Sequence, residues 1–109
     1  MRSLKIPKAI LKKTPALYAT DEVAGADKVA QFKIFDPSGR LTIYVVEAGP
    51  DGDDTRLFCY TVSPLGPDCD EWGYASLKEL QSVRNRFGLP LERDLWFTPT
   101  KMSEIFAEL

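Results

Sequence analysis

The clearest pattern along the chain is Leu41-Thr42-Ile43-Tyr44-Val45-Val46, in which Leu41, Ile43 and Val45 point one way and Thr42, Tyr44 and Val46 the other. Both faces are largely apolar, which predicts a central strand ending at Glu47. Gly49-Pro50-Asp51-Gly52-Asp53-Asp54 then reads as a turn, and Leu57 to Val62 as the antiparallel return. Upstream, Val29 to Phe35 alternates imperfectly through Val29, Phe32 and Ile34, and closes on the turn Asp36-Pro37-Ser38-Gly39. Downstream, Pro64, Gly66 and Pro67 form a loop that delivers the chain to a short strand at Trp72 and Tyr74.

Helical spacing takes over at Leu77. Ser76 and Glu79 form the S-x-x-E capping pattern, in which the hydroxyl takes an orphan amide of the first turn and the Glu reaches back to the cap's own N–H. Leu77, Leu80, Val83 and Phe87 recur every three or four residues and predict an amphipathic helix over 77–87, stopped by Gly88 and Pro90. Glu92, Arg93 and Asp94 follow, set between Leu91 and Leu95-Trp96-Phe97. Near the start, Pro7 opens a short helix over Lys8 to Lys13 with Ile10 and Leu11 inward, and Pro15 ends it. Ala16 to Thr20 reads as an extended segment with Leu17 and Tyr18 reaching the core, and an acidic loop continues through Asp27. Met102, Ile105, Phe106 and Leu109 predict a short terminal helix. The fold class expected is α+β: a three- to four-stranded antiparallel meander packed by the 77–87 helix, with short helices near both ends.

Composition changes this picture little. A chain of 109 residues, 44% hydrophobic and 28% charged, is one domain over 1–109, able to bury a core without a disulfide or metal. No window is apolar for long enough to span a bilayer. The first residues, MRSLKIPKAILKK, are basic but interrupted before a signal-type apolar stretch forms, so the expected location is cytoplasmic. Cys59 falls inside a strand as a small hydrophobe, and Cys69 lies among Asp68, Asp70 and Glu71, which disfavour its thiolate. A reducing compartment disfavours a disulfide between them.

Charge is uneven although the net is only −2. Arg2, Lys5, Lys8, Lys12 and Lys13 make a basic end, whereas Glu47 to Glu71 hold seven acids against Arg56 alone. The acidic balance argues against direct nucleic-acid binding, including a base-stacking platform built from Phe32, Tyr44, Phe58 and Tyr60 beside Lys33 and Arg40. Those rings read instead as core.

Chemistry is limited from the outset, because the chain has no histidine. Ser-His and Cys-His systems and the commonest zinc ligand are removed, and two cysteines do not close a structural zinc site. No glycine loop of the phosphate-cradling or dinucleotide type is present. Asp51, Asp53 and Asp54 lack the frame of a calcium loop and read as a solvated hairpin. Glu47, Glu92 and Asp94 are the carboxylates a Mg²⁺-dependent enzyme would need to gather. The expectation is no catalytic residue, no metal and no cofactor. Arg93 has two readings: a bidentate structural tie of the segment after Gly88, which is the favoured one, or part of a recognition patch with Glu92, Asp94 and Trp96 or Trp72.

Three stretches carry a family resemblance: Leu11-x-x-x-Pro15-x-Leu17-Tyr18-x-Thr20, Gly73-Tyr74-x-Ser76-Leu77-x-Glu79-Leu80, and Gly88-Leu89-Pro90-x-Glu92-Arg93-Asp94 with Phe97-x-Pro99. Together they resemble the domain of unknown function 2958 family, small proteins of bacterial plasmids, integrative elements and phages. Gly49 to Asp70 is longer and more acidic than the family pattern. The resemblance implies an accessory role for a mobile element and carries no activity with it. The expected function is a non-enzymatic interaction protein that blocks a host defence complex, CRISPR or restriction, through a surface drawn from Asp51, Asp53, Asp54, Asp68, Asp70, Glu71, Trp72, Glu92, Arg93 and Asp94. Carboxylates there would stand in for phosphates. The alternatives are a small carboxylate and Mg²⁺-dependent nucleic-acid processing enzyme, and a structural subunit that pairs with itself through Met102 to Leu109.

Overall fold

The computed structural model describes residues 3–109, so Arg2 of the basic end lies outside it. Two long strands form the spine: β3 (Thr42–Asp51) and β4 (Asp54–Val62). The four strands β2 (Phe32–Phe35), β3, β4 and β5 (Glu71–Ser76) make the expected antiparallel meander. A fifth, β6 (Glu92–Arg93), joins its edge, giving the order β5-β4-β3-β2-β6. A separate pair links β1 (Val29–Ala30) to β7 (Thr100–Lys101).

Both faces of the sheet are covered, which is why β3 is apolar on both sides. One core gathers Leu4, Phe32, Ile34, Ile43, Val45, Leu57, Cys59 and Leu91 beneath α1 (Lys8–Lys13) and α2 (Leu77–Ser82). The other holds Ala30, Tyr44, Val46 and Val62 against Met102 and Ile105 of α3 (Met102–Glu108). Ile10 and Leu11 pack inward from α1 and its lysines stay exposed, as their spacing predicts. Among the described residues no helix is long and apolar enough to cross a membrane.

Four sequence expectations are corrected. β3 does not end at Glu47: its ladder with β4 runs to Asp51↔Asp54, leaving only Gly52 and Asp53 as the turn, with Gly52 in the left-handed region at φ 63°. Pro50 is tolerated because β2 pairs with β3 no further than Val45, so no second neighbour asks for its missing N–H. The strand expected over 29–35 is interrupted at Gln31, and the chain passes from one core to the other, Ala30 on one face and Phe32 on the other.

The third correction is α2, which stops at Ser82 instead of 87. The hydroxyl half of its cap is as expected, with Ser76 Oγ accepting the Glu79 amide at 3.1 Å, but the Glu79 carboxylate makes no return bond to the Ser76 amide. Asn85 then takes over: its Oδ1 accepts the amides of Phe87 and Leu89, and Gly88 at φ 75° closes a turn of its own. Phe87 is consequently 60% exposed and only mimics the helical stripe. The fourth is Ala16–Thr20, which forms tight turns rather than an extended segment, with Tyr18 exposed and in the left-handed region at φ 70°. Leu17 is half-buried against Gly49, where a β-carbon would come within 2.9 Å of its Cγ.

Candidate functional site

The acids of Asp51 to Glu71 do not share one surface. Asp51, Asp53 and Asp54 sit at the hairpin end of β4, while Asp70 and Glu71 sit at the other end, where Glu71 pairs with Thr61. The nine residues of β4 separate the groups, roughly 25 Å at strand rise. Most of these carboxylates are also occupied by the fold. Asp51 pairs with Arg56 at 3.0 Å and Asp53 with Lys78 at 2.7 Å. Asp54 accepts the Thr55 amide at 2.7 Å, the Lys78 amide at 3.0 Å and the Ser76 hydroxyl, tying the hairpin to the cap of α2. Asp70 takes both nitrogens of Arg40 at 2.9 Å and the Ser63 amide at 2.7 Å. These bonds hold the Asp54 and Asp70 carboxyls below the usual aspartate range, the Ser76 hydroxyl leading in one case and Arg40 in the other. Asp68 and Glu71 remain exposed.

Trp72 is half-buried, stacked on Phe58 with ring centres 5.4 Å apart and edge-on to Tyr60 and Phe106. It belongs to the packing of β4, β5 and α3. Glu92 and Arg93 are the whole of β6, held to β2 by backbone pairing with Phe35 and Ile34. The bidentate tie expected of Arg93, to a carboxylate or to loop carbonyls, is absent: its side chain makes neither an ion pair nor a hydrogen bond among the described residues. Asp94 is the tie instead. Its amide donates to the Lys33 carbonyl at 2.9 Å, its carboxylate lies 3.8 Å from Lys33 Nζ, and its Oδ1 accepts the Trp96 amide at 2.9 Å.

That last bond shapes the surface. An aspartate capping the amide two residues on fixes a local turn, and it throws Leu95 and Trp96 outward while Phe97 folds back beside Tyr44, ring centres 6.0 Å apart. Trp96 is 92% exposed and Leu95 71%. Between this turn and α3 lies a groove of about 460 Å³, floored by Tyr44, Phe97 and Ile105 and flanked by Asp94, Glu104 and Glu108. Lys33, the cation there, is spent on Asp94 and on the Tyr44 ring, 5.7 Å away. Burial pushes the Tyr44 hydroxyl up, and the negative charges of Glu108 and Asp94 push it further.

A second constellation centres on Glu47. A bulge between Val45 and Glu47 puts Val46 and then Glu47 toward the α3 face, Glu47 opposite Phe58. The carboxylate is 1% exposed and accepts the amides of Tyr18 and Thr20 at 2.8 and 2.9 Å, and the Thr20 hydroxyl. Lys28 completes the group by donating to the Thr20 carbonyl and, at 2.9 Å, to its hydroxyl. Glu47, Glu92 and Asp94 therefore do not converge, and no group of three or more Cys, Asp or Glu among the described residues is placed to hold a metal ion. Lys28 was not singled out, and Tyr18 and Thr20 entered only through the 16–20 segment and the family resemblance, although a lone carboxylate inside the apolar run 43–48 already demanded partners. Glu104 and Glu108 were missed as well; their four-residue separation on α3 was the available signal.

Fold and surface thus define a small α+β protein with a covered sheet, a carboxylate locked into its core and one outward tryptophan beside an acid-rimmed groove. The chain belongs to the family described as Protein of unknown function (DUF2958), whose sequence profile matches residues 8–109. No curated protein and no solved structure matches it.

Proposed function

We propose that this protein acts without catalysis, by binding another protein through the turn that carries Trp96. The observation that supports this is the combination of near-complete exposure of Trp96 with a fixed backbone: Asp94 caps the Trp96 amide, so the ring is presented on an ordered turn. Tryptophan is among the side chains that most often anchor interfaces, and ordering the turn in advance lowers the entropic cost of binding. In the setting that the family resemblance implies, the partner is a host defence complex, of the CRISPR or restriction kind, which the protein blocks. Phosphate mimicry by Asp51 to Glu71 is not the mechanism we favour, because those acids are divided between two ends of the sheet and mostly paired.

The test is affinity capture of the tagged protein from a bacterial host, with and without infecting phage, comparing the wild type with Trp96→Ala. Recovery of a defined nuclease or effector complex by the wild type, and its loss in a Trp96→Ala protein of unchanged melting temperature, is the expected result. Equal recovery by both would overturn the reading. Self-association is the second reading, favoured by Trp96 and Leu109 both being exposed beside the groove, although Met102 and Ile105 of the expected Met102 to Leu109 surface are buried. It predicts a dimer by light scattering that Trp96→Ala dissociates.

A further inference from the structure

We propose that the groove beside Trp96 takes a basic segment of a partner protein, in which an arginine or lysine alternates with aliphatic side chains. The inference rests on the reading of Trp96 as a protein-binding anchor and adds the chemistry of what it binds. The groove is apolar at its floor, where Tyr44, Phe97 and Ile105 meet, and acidic at its rim, where Asp94, Glu104 and Glu108 stand against Lys33. Lys33 already faces Asp94, so Glu104 and Glu108 are left without a cationic partner among the described residues.

Glu104 lies in the first turn of α3, where the macrodipole favours an acid, so it is the placement of Glu108 that goes against the local interests of the helix. The two glutamates stand four residues apart on α3, where like charges repel. Glu108 is also the last residue of that helix, where the macrodipole disfavours an anion. Neither cost to Glu108 is offset by a cationic partner among the described residues, and a cation lying along the groove would relieve both. A local rule broken without an internal compensation is expected at a functional or strained site. General attraction of cations does not account for the arrangement, since the chain carries a net charge of only −2. An aliphatic side chain next to the cation would cover the groove floor and pack against the Trp96 ring, while the cation met the rim and the ring face together.

Fluorescence anisotropy with two labelled synthetic peptides tests this, one alternating arginine with leucine and one alternating glutamate with leucine, at low and moderate salt. The arginine peptide is expected to bind and the glutamate peptide is not. Neutralising the rim in Glu104→Gln/Glu108→Gln should weaken binding about fivefold, Trp96→Ala should abolish it, and Asp68→Asn/Glu71→Gln, which removes as much charge elsewhere, should leave it unchanged. All these side chains are exposed, and a melting curve for each variant establishes that it is folded. Equal binding of both peptides, no binding of either, insensitivity to the rim or Trp96 variants, or equal loss in the Asp68/Glu71 variant overturns the inference. If Trp96→Ala loses the captured complex while the arginine peptide fails to bind, the basic-segment inference falls and the interaction reading stands.

Discussion

The carboxylate of Glu47, in the middle of the central strand, accepts the backbone amide of Tyr18 at 2.8 Å and so pins a turn that lies 29 positions earlier in the chain. A second amide and a hydroxyl from Thr20 complete the clasp, and Lys28 binds the same threonine. A buried carboxylate is tolerated only when its oxygens are filled in this way. Burial alone would raise the Glu47 carboxyl, but the Thr20 hydroxyl, the two amides and the Lys28 charge outweigh it and hold the group below the usual glutamate range.

From this follows a pH dependence. A carboxyl depressed in the folded state contributes stability that is complete above its unfolded value and is lost as pH falls through the folded one. Stability should therefore decline as pH drops below about 4. Glu47→Gln should cost about 1–3 kcal/mol at neutral pH and should lose less than the wild type on acidification. Denaturant unfolding at neutral and acid pH measures both, and equal acid sensitivity of the two proteins would count against the clasp.

The acids of the hairpin and of the 68–71 segment should separate cleanly. Asp54 receives two amides and the hydroxyl that caps α2, so Asp54→Ala removes a cap and orphans its donors. A clear fall in melting temperature is expected. Asp68→Ala, at an exposed position, should stay within about 0.5 kcal/mol of the wild type. Thermal melts of the two variants decide the matter; a similar fall in both would mean that the acidic run acts as a unit.

Much of this was legible along the chain because burial follows period. Ile43 to Ala48 are buried without a break, and only a strand with both faces covered produces such a run. Ser76 was legible for a different reason: capping is chemistry between residues three apart. What escaped depends on geometry that the pattern does not encode. Val83 and Phe87 continue the stripe of Leu77 and Leu80, yet Asn85 captures the backbone and ends the helix. The bulge at Val46 is a one-residue slip that re-aims Glu47, and β6 and β7, at two residues each, have no period to read. The groove was illegible because Asp94, Trp96 and Glu108 come from elements whose contact is tertiary.

Tyr18 is a non-glycine residue in the left-handed region, at φ 70°, a conformation costly to a side chain with a β-carbon. It is held there by Glu47, with its ring 6.3 Å from that of Tyr74. Replacement by glycine and by alanine removes the ring equally and differs only in the backbone. Tyr18→Gly should be more stable than Tyr18→Ala by roughly 0.5–1 kcal/mol. The opposite order in denaturant unfolding would show that the turn relaxes when the ring is lost.

The two thiols should differ sharply in reactivity. Cys59 lies 1% exposed in the core between β3 and β5, its Sγ 3.6 Å from the Gly73 carbonyl, and burial pushes its thiol up to about 11. Since the thiolate is the nucleophile, Cys59 in the folded protein is blocked both by access and by protonation. Cys69 is exposed in the loop before β5. A chromogenic thiol reagent at neutral pH should consume one equivalent in the native protein, slowed by the acids beside Cys69; a Cys69→Ser variant should show none until denatured, and Cys59→Ser should keep that equivalent. Labelling of both thiols under native conditions would mean that β5, the outer strand over Cys59, opens readily from the sheet, and hydrogen exchange at Trp72 to Tyr74 would then be fast as well.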